Sequence, residues 1–294
     1  MTVLFECTYD NERWFGLGVP RDDTDLRLYA LGGDQLGALM AESGLIEGLG
    51  GSADALTAGR ERLDVRAEDR RRVRMLPPLM PEHVGDAVVS GFMMTHNVKA
   101  DASTPDQPNW FVKGLGDALK LSGEPLSVPF DAVAVCEEAE VVLVYVGDEK
   151  TGRPVYMGHS FGNDVTDIGR FKQHNGHLSY AKLCDAAISP ALHVGPPPPR
   201  VTGETVIERD GAVVWSGPFT TGTDALFYDL DTIMATLMDY EALRRPGRVH
   251  YVYIGADRSS FHAGHEMADG DRVTLDFAGH GVTLVNRLAW GARA

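Results

Sequence analysis

Residues 136–164 read CEEAEVVLVYVGDEKTGRPVYMGHSFGND, and the fold turns on them. Glu138 and Glu140 stand two apart at the head of the apolar run Val141 to Val146, which is rich in β-formers. On a strand, positions i and i+2 face the same side, so both carboxylates share a face. The polar stretch 147–153 carries two glycines, which predicts a reversal centred near Lys150 and a return strand from Pro154 to Phe161. That register, good to about two residues, sets Asp164 beside Glu138. Three converging carboxylates repel one another unless a cation or protons neutralise them. A divalent ion is the simplest partner, and an all-oxygen set favours Mg²⁺ or Mn²⁺, with Ca²⁺ also acceptable, over Zn²⁺. From spacing alone, a solvated strand face accounts for Glu138 and Glu140 equally well.

The motifs around this hairpin change that balance. Glu138-Ala139-Glu140 before a hydrophobic strand, followed by Asn163-Asp164-Val165-Thr166, resembles the fumarylacetoacetate hydrolase superfamily. Further pieces fall in the family's order: Gly91 to His96, Pro108 to Lys113, Ala181-Lys182-Leu183 with Ser189-Pro190, then Gly270-Asp271-Arg272-Val273 and Gly281 to Asn286. Each motif is short, and their order and spacing carry the signal. The resemblance covers roughly residues 76 to 294, and the long spacer between Asp164 and Lys182 resembles the sugar-acid-catabolism branch.

The resemblance implies an α+β, mainly β fold, the family's mixed β-sandwich roll, with a small amino-terminal α+β segment (residues 1–75) before the catalytic domain (76–294), and a homodimer. It implies a metal site of Glu138, Glu140 and Asp164, with His96 as base and Lys182 beside the metal and the developing oxyanion. Lys113, Arg170 and Gly255 are the implied substrate contacts, Arg170 on weaker grounds because the family's arginine lies nearer the aspartate. This sequence departs from the pattern in two places. Hydrolase members pair the histidine with a glutamate three positions on, where this chain has Lys99, and the Thr-Gly-Thr segment is Ile254-Gly255-Ala256. The implied chemistry is a metal-stabilised enolate of a small 2-oxo acid. Dehydration of a 2-keto-3-deoxy sugar acid ranks slightly ahead of C–C hydrolysis of an acylpyruvate, a specialised-pathway reaction on the same fold, or non-catalytic oxo-acid binding.

Composition is consistent with that reading. At 294 residues with 44% hydrophobic side chains the chain can build a large core, and a formal charge of −15 argues against nucleic-acid and anionic-membrane partners. Cys7, Cys136 and Cys184 are odd in number and lack C-x-x-C spacing, no apolar run reaches membrane-span length, and the start lacks a signal pattern. A cytoplasmic protein acting on a small molecule is the expectation.

Along the chain, residues 3–32 predict small antiparallel strands, Leu36 to Glu47 a helix broken by Gly48 to Ser52, and 53–74 a polar stretch whose Arg70-Arg71-Arg72 reads as a solvated face. Leu76 to Pro81 marks a boundary, 201–218 a hairpin turning at Asp210-Gly211, and Leu230 to Arg244 a helix. Three decoys are weighed against ordinary roles. Gly158 to Gly162 matches G-x-S-x-G, but no helical period follows Ser160, so a strand serine is expected. His262-Ala263-Gly264-His265 is not a zinc helix, and His174 with His177 is expected to border a pocket rather than bind metal.

Overall fold

The computed structural model describes residues 2–46 and 52–292. The predicted hairpin is present: Ala139–Gly147 pairs antiparallel with Pro154–Asp164, with Ala139 opposite Asn163 and Gly147 opposite Pro154. One register shift falls between Val144 and Tyr145. The hairpin lies in a 13-stranded sheet, between Ala191–Val194 on one side and Val249–Tyr253 on the other. Ala87–Met93 and Asn109–Leu115 extend the sheet beyond Val249–Tyr253.

Burial on both faces explains why residues 141–146 are apolar without alternation. Val141 and Leu143 join a core with Phe161, Ile207, Phe219, Leu275, Phe277 and Leu288. That core includes residues of a second, five-stranded sheet running Ala212–Thr221, Val201–Arg209, Arg272–Phe277, Val282–Trp290 and Pro125–Val128. Val142 and Val144 point the other way, into a core with Leu36, Met40, Leu56, Met157, Tyr251 and Tyr253. The architecture is the expected mainly β arrangement with short peripheral helices.

The amino-terminal segment continues the large sheet. Thr2–Tyr9 pairs with Ala191–Val194, with Glu12–Leu17 and with Val73–Leu76. The polar stretch 53–74 is more structured than its composition indicates. Arg62–Val65 closes the sheet edge against Leu26–Ala30, and Arg72 pairs with Asp10 and covers the Tyr9 ring.

Two helices are shorter than their hydrophobic patterns predict. The first runs Leu36–Glu42, where Gly44 at φ 68° takes the left-handed cap position and Leu45 N–H returns to Met40 O. Glu47, the last residue of the predicted helix, and residues 48–51 of the predicted break lie outside the described residues. The second runs Leu230–Met238 and gives way to a 3₁₀ turn at Glu241–Leu243. The hairpin at Asp210-Gly211 forms as predicted, both residues taking positive φ (52° and 81°).

Candidate functional site

Glu138, Glu140 and Asp164 are all buried, and one carboxylate oxygen from each lies within 4.8 Å of the others. Among the described residues they are the only such group of three or more His, Cys, Asp or Glu side chains. The hairpin register places them: Asp164 N–H donates to Glu138 O at 2.9 Å, and Glu138 N–H donates to the Asn163 side chain at 3.1 Å.

Lysines share the site. Lys182 is fully buried and its Nζ donates to Asp164 Oδ2 (2.5 Å), Glu138 Oε2 (3.0 Å) and Thr166 Oγ1 (2.7 Å), while standing 4.4 Å above the Phe111 ring. Lys113 Nζ donates to Val165 O at 2.6 Å and stands 2.7 Å from Asp164 Oδ1, close as an ion pair but without hydrogen-bond geometry. Lys99, at the position where the family's hydrolases carry glutamate, lies 3.7 Å from Glu138 Oε1. Nothing in the spacing of the acids signals these ammonium groups. They offset much of the repulsion, so convergence of the acids does not by itself demand an ion.

The donor set nonetheless fits a hard divalent ion. Its oxygens come from three carboxylates with no thiolate or imidazole among them, and Asp164 Oδ1 is a buried oxygen with no hydrogen bond. The two glutamates are held apart electrically. Burial pushes Glu138 up, but Lys182 and Lys99 overcome it and hold the carboxyl down at about 2. Burial, then Asp164 and Glu138, push Glu140 well above the usual carboxylate range, so a further cation favours its ionised form.

Gly255 meets this trio through its backbone, its N–H donating to Glu140 Oε2 at 2.6 Å. Only glycine suits the position: φ is +100°, and a Cβ would lie 2.1 Å from Thr95 Oγ1. His96 is buried next to the same turn. Its Nδ1 lies 3.2 Å from Thr95 Oγ1, whose hydroxyl already donates to Ile254 O at 2.6 Å. The shorter Thr95 bonds favour the tautomer in which Nδ1–H donates to Thr95 and Nε2 carries the lone pair, against a long 3.4 Å contact to Thr221 Oγ1, whose hydroxyl also lies 3.4 Å from Gly255 O. Burial, aided by Lys99 and opposed by Glu138, lowers His96 to about 4, so the ring is neutral near pH 7.

Arg170 is not brought to the trio by any contact. Its guanidinium is engaged with Asp167 and Asp131, both at 3.1 Å. Ser160 lies within a strand and donates to Ser189 O at 3.0 Å. His262 faces Ser259 at its own 3₁₀ turn, and His265 stacks near Trp215. Two residues escaped the sequence reading. Thr166 Oγ1, within a motif already quoted, lies 3.0 Å from Glu138 Oε2. Glu137 is buried and accepts from Ser260 N–H (2.8 Å) and Oγ–H (2.6 Å), tying residues 259–263 to the head of the acid strand. Its only signal was an acid directly before Glu138, and its partner lies 123 positions away.

Sequence comparison finds no matching family model and no matching curated protein. Solved structures do match over the whole chain. A 2-keto-3-deoxy-D-arabinonate dehydratase in complex with magnesium and 2,5-dioxopentanoate superposes with a TM-score of 0.71 at 17% identity, covering 99% of this chain and 100% of its own. A 5-carboxymethyl-2-hydroxymuconate delta-isomerase from Mycobacterium smegmatis gives 0.63 at 19% identity, with the same coverage. A 2-hydroxyhepta-2,4-diene-1,7-dioate isomerase from Mycobacterium marinum gives 0.63 at 17%, covering all of both chains. With the motif order and the placement of the acid trio, these likenesses establish that the chain has the fold of the fumarylacetoacetate hydrolase superfamily.

Proposed function

We propose that the protein is a divalent-cation-dependent enzyme acting on a small 2-oxo acid, with dehydration of a 2-keto-3-deoxy sugar acid as its reaction. The observation that carries this reading is the buried trio Glu138, Glu140 and Asp164 with Lys182 bonded to two of its members. When bound there, Mg²⁺, Mn²⁺ or Ca²⁺ would supply a Lewis acid for the oxygens of the 2-oxo acid.

The chain's own groups do the rest. His96 is neutral above about pH 4, and its Nε2 accepts the C3 proton of the substrate. Lys182, fixed by three bonds, steadies the negative charge that develops on the 2-oxo oxygen as that proton leaves. The proton then passes to the C4 hydroxyl, which departs as water as the C3–C4 double bond forms. Two observations support elimination over hydrolysis. Lys99 puts a cation beside Glu138 where the family's hydrolases carry an acid, and one structural neighbour is itself a sugar-acid dehydratase.

The test is incubation of the Mg²⁺-loaded protein with 2-keto-3-deoxy-D-arabinonate and, separately, with an acylpyruvate, followed by mass spectrometry of the products. Loss of water from the sugar acid is the expected result. Cleavage of the acylpyruvate alone would replace elimination by hydrolysis, and turnover of neither would end the assignment to these substrates.

A further inference from the structure

Elimination needs two proton-handling groups, and His96 is only one of them. It takes the C3 proton, but hydroxide is a poor leaving group, so the C4 oxygen has to receive a proton as its bond to carbon breaks. C3 and C4 are adjacent atoms, and the donor must therefore neighbour His96.

Most polar hydrogens around the trio are already committed. Lys182 Nζ directs its three to Asp164, Glu138 and Thr166, and Lys113 Nζ is held between Val165 O and Asp164. The Thr95 hydroxyl donates to Ile254 O, and the Thr166 hydroxyl faces Glu138 Oε2. Burial and Lys99 lower His262 from its ordinary value, which leaves an uncharged ring near pH 7, a far weaker acid than an ammonium.

Lys99 is different. The 3₁₀ turn Asn97–Lys99 follows His96 directly, closed by Lys99 N–H on His96 O at 2.8 Å and pinned by Asn97 Nδ2 on Leu226 O at 3.0 Å. The Lys99 side chain is 13% exposed, and its Nζ stands 3.7 Å from Glu138 Oε1, too far for a hydrogen bond. Among the described residues that ammonium makes no hydrogen bond, so its three N–H donors are unassigned. Its charge acts on His96, Glu138 and His262 alike, which sets it between the base, the acid trio and the turn 259–263.

We propose that Lys99 is the catalytic acid of the elimination, donating a proton to the C4 hydroxyl of the substrate. The assignment rests on the dehydration proposed above and specifies how its leaving group is protonated. His96 Nε2 takes a proton from C3. The electron pair of that C–H bond, held first in the enolate, becomes the C3–C4 double bond as the C4–O bond breaks. The departing oxygen keeps the C4–O pair, takes a proton from the Lys99 ammonium and leaves as water. The His96 imidazolium then returns its proton to the Lys99 amine, and both groups are restored with no further reactant. In net terms the C3 proton is passed on through Lys99.

The experiment compares two substrates on Mg²⁺-loaded wild type, Lys99→Met and Lys99→Arg. One is 2-keto-3-deoxy-D-arabinonate, followed by mass spectrometry, and the other its analogue with fluorine in place of the C4 hydroxyl, followed by fluoride release. Fluoride leaves without a proton, and arginine keeps the charge but does not give up a proton. Calorimetric titration of oxalate with Mg²⁺ checks that each variant is folded with its cation site intact. The expected result is water loss slowed about 10²-fold or more in both variants, with fluoride release within about threefold of wild type. Fluoride release slowed as much as water loss would overturn the proposal, as would water loss at the wild-type rate in either variant. Loss of oxalate binding in both variants would make Lys99 a structural counter-charge to Glu138 and overturn it too. Wild type that turns over neither substrate would instead sink the proposed function, and the role of Lys99 with it.

Discussion

Lys182 is the side chain on which the acid trio most depends. With its ammonium gone, Glu138 and Asp164 are left buried with less compensation, so Lys182→Met is expected to destabilise the chelator-treated protein by about 3 kcal/mol. On the proposed mechanism the same change is expected to lower turnover by about 10²-fold or more, because the fixed cation assigned to the developing oxyanion is lost. Urea denaturation in chelator and steady-state kinetics read the two effects separately, and unchanged stability would show that other groups already balance the acids. At this scale the sequence was legible where the partners sit in one hairpin. Glu138, Glu140 and Asp164 meet because i, i+2 parity and one reversal bring them together. The ammonium of Lys99 beside Glu138, the Ser260 partner of Glu137 and the tautomer of His96 were not legible, since each depends on contacts between segments that only the fold joins.

Gly255 ties two elements of the site together, so its substitution tests how they meet. An alanine there is strained at φ +100° and collides with Thr95 Oγ1, and Gly255→Ala is expected to destabilise the protein by about 2 kcal/mol. Its second expected effect is loss of turnover as the N–H bond to Glu140 shifts. Thermal melts and kinetics check both, and a fully active variant would separate this turn from the chemistry. Away from the site, Asp229 caps the helix Leu230–Met238 by accepting from Thr232 N–H at 2.8 Å. Asp229→Ala is expected to cost about 1 kcal/mol in chemical denaturation and leave turnover unchanged. Strands and turns followed their local signals, as at Asp210-Gly211. Helix ends did not, because apolar periodicity runs on past Glu42 while Gly44 stops the backbone. The polar stretch 53–74 hid its two strands because their few apolar residues, Leu63, Val65, Val73 and Met75, alternate with charged ones, and the small core they join with Phe5, Trp14 and Leu28 is supplied by distant strands.

Across the whole molecule, the large sheet joins the amino-terminal strands to the hairpin that holds the acids, and Glu6 lies buried in that junction. Its ordinary value of 4.5 rises to about 7 in the fold, with Arg13, Cys7 and Tyr251 as its charged or titratable neighbours. Below pH 4.5 the group is protonated in both the folded and unfolded chains. Between 4.5 and 7 the unfolded chain loses the proton first, so this group's contribution falls as pH rises, by on the order of 3 kcal/mol in all. The stability of Glu6→Gln relative to wild type is therefore expected to climb from pH 4.5 to pH 7 and then level off, a difference in which other titrations cancel. A flat difference would place Glu6 in a better-solvated setting than its burial indicates.

On the proposed function, Glu138, Glu140 and Asp164 form a working cation site that engages a 2-oxo acid. The most direct measurement is calorimetric titration of oxalate, a mimic of the pyruvate enolate, with Mg²⁺ and with chelator, into wild type and Glu140→Gln. Binding that requires Mg²⁺ and is lost in the variant is the expected result. Equal binding in all four conditions, or binding in none, would contradict it.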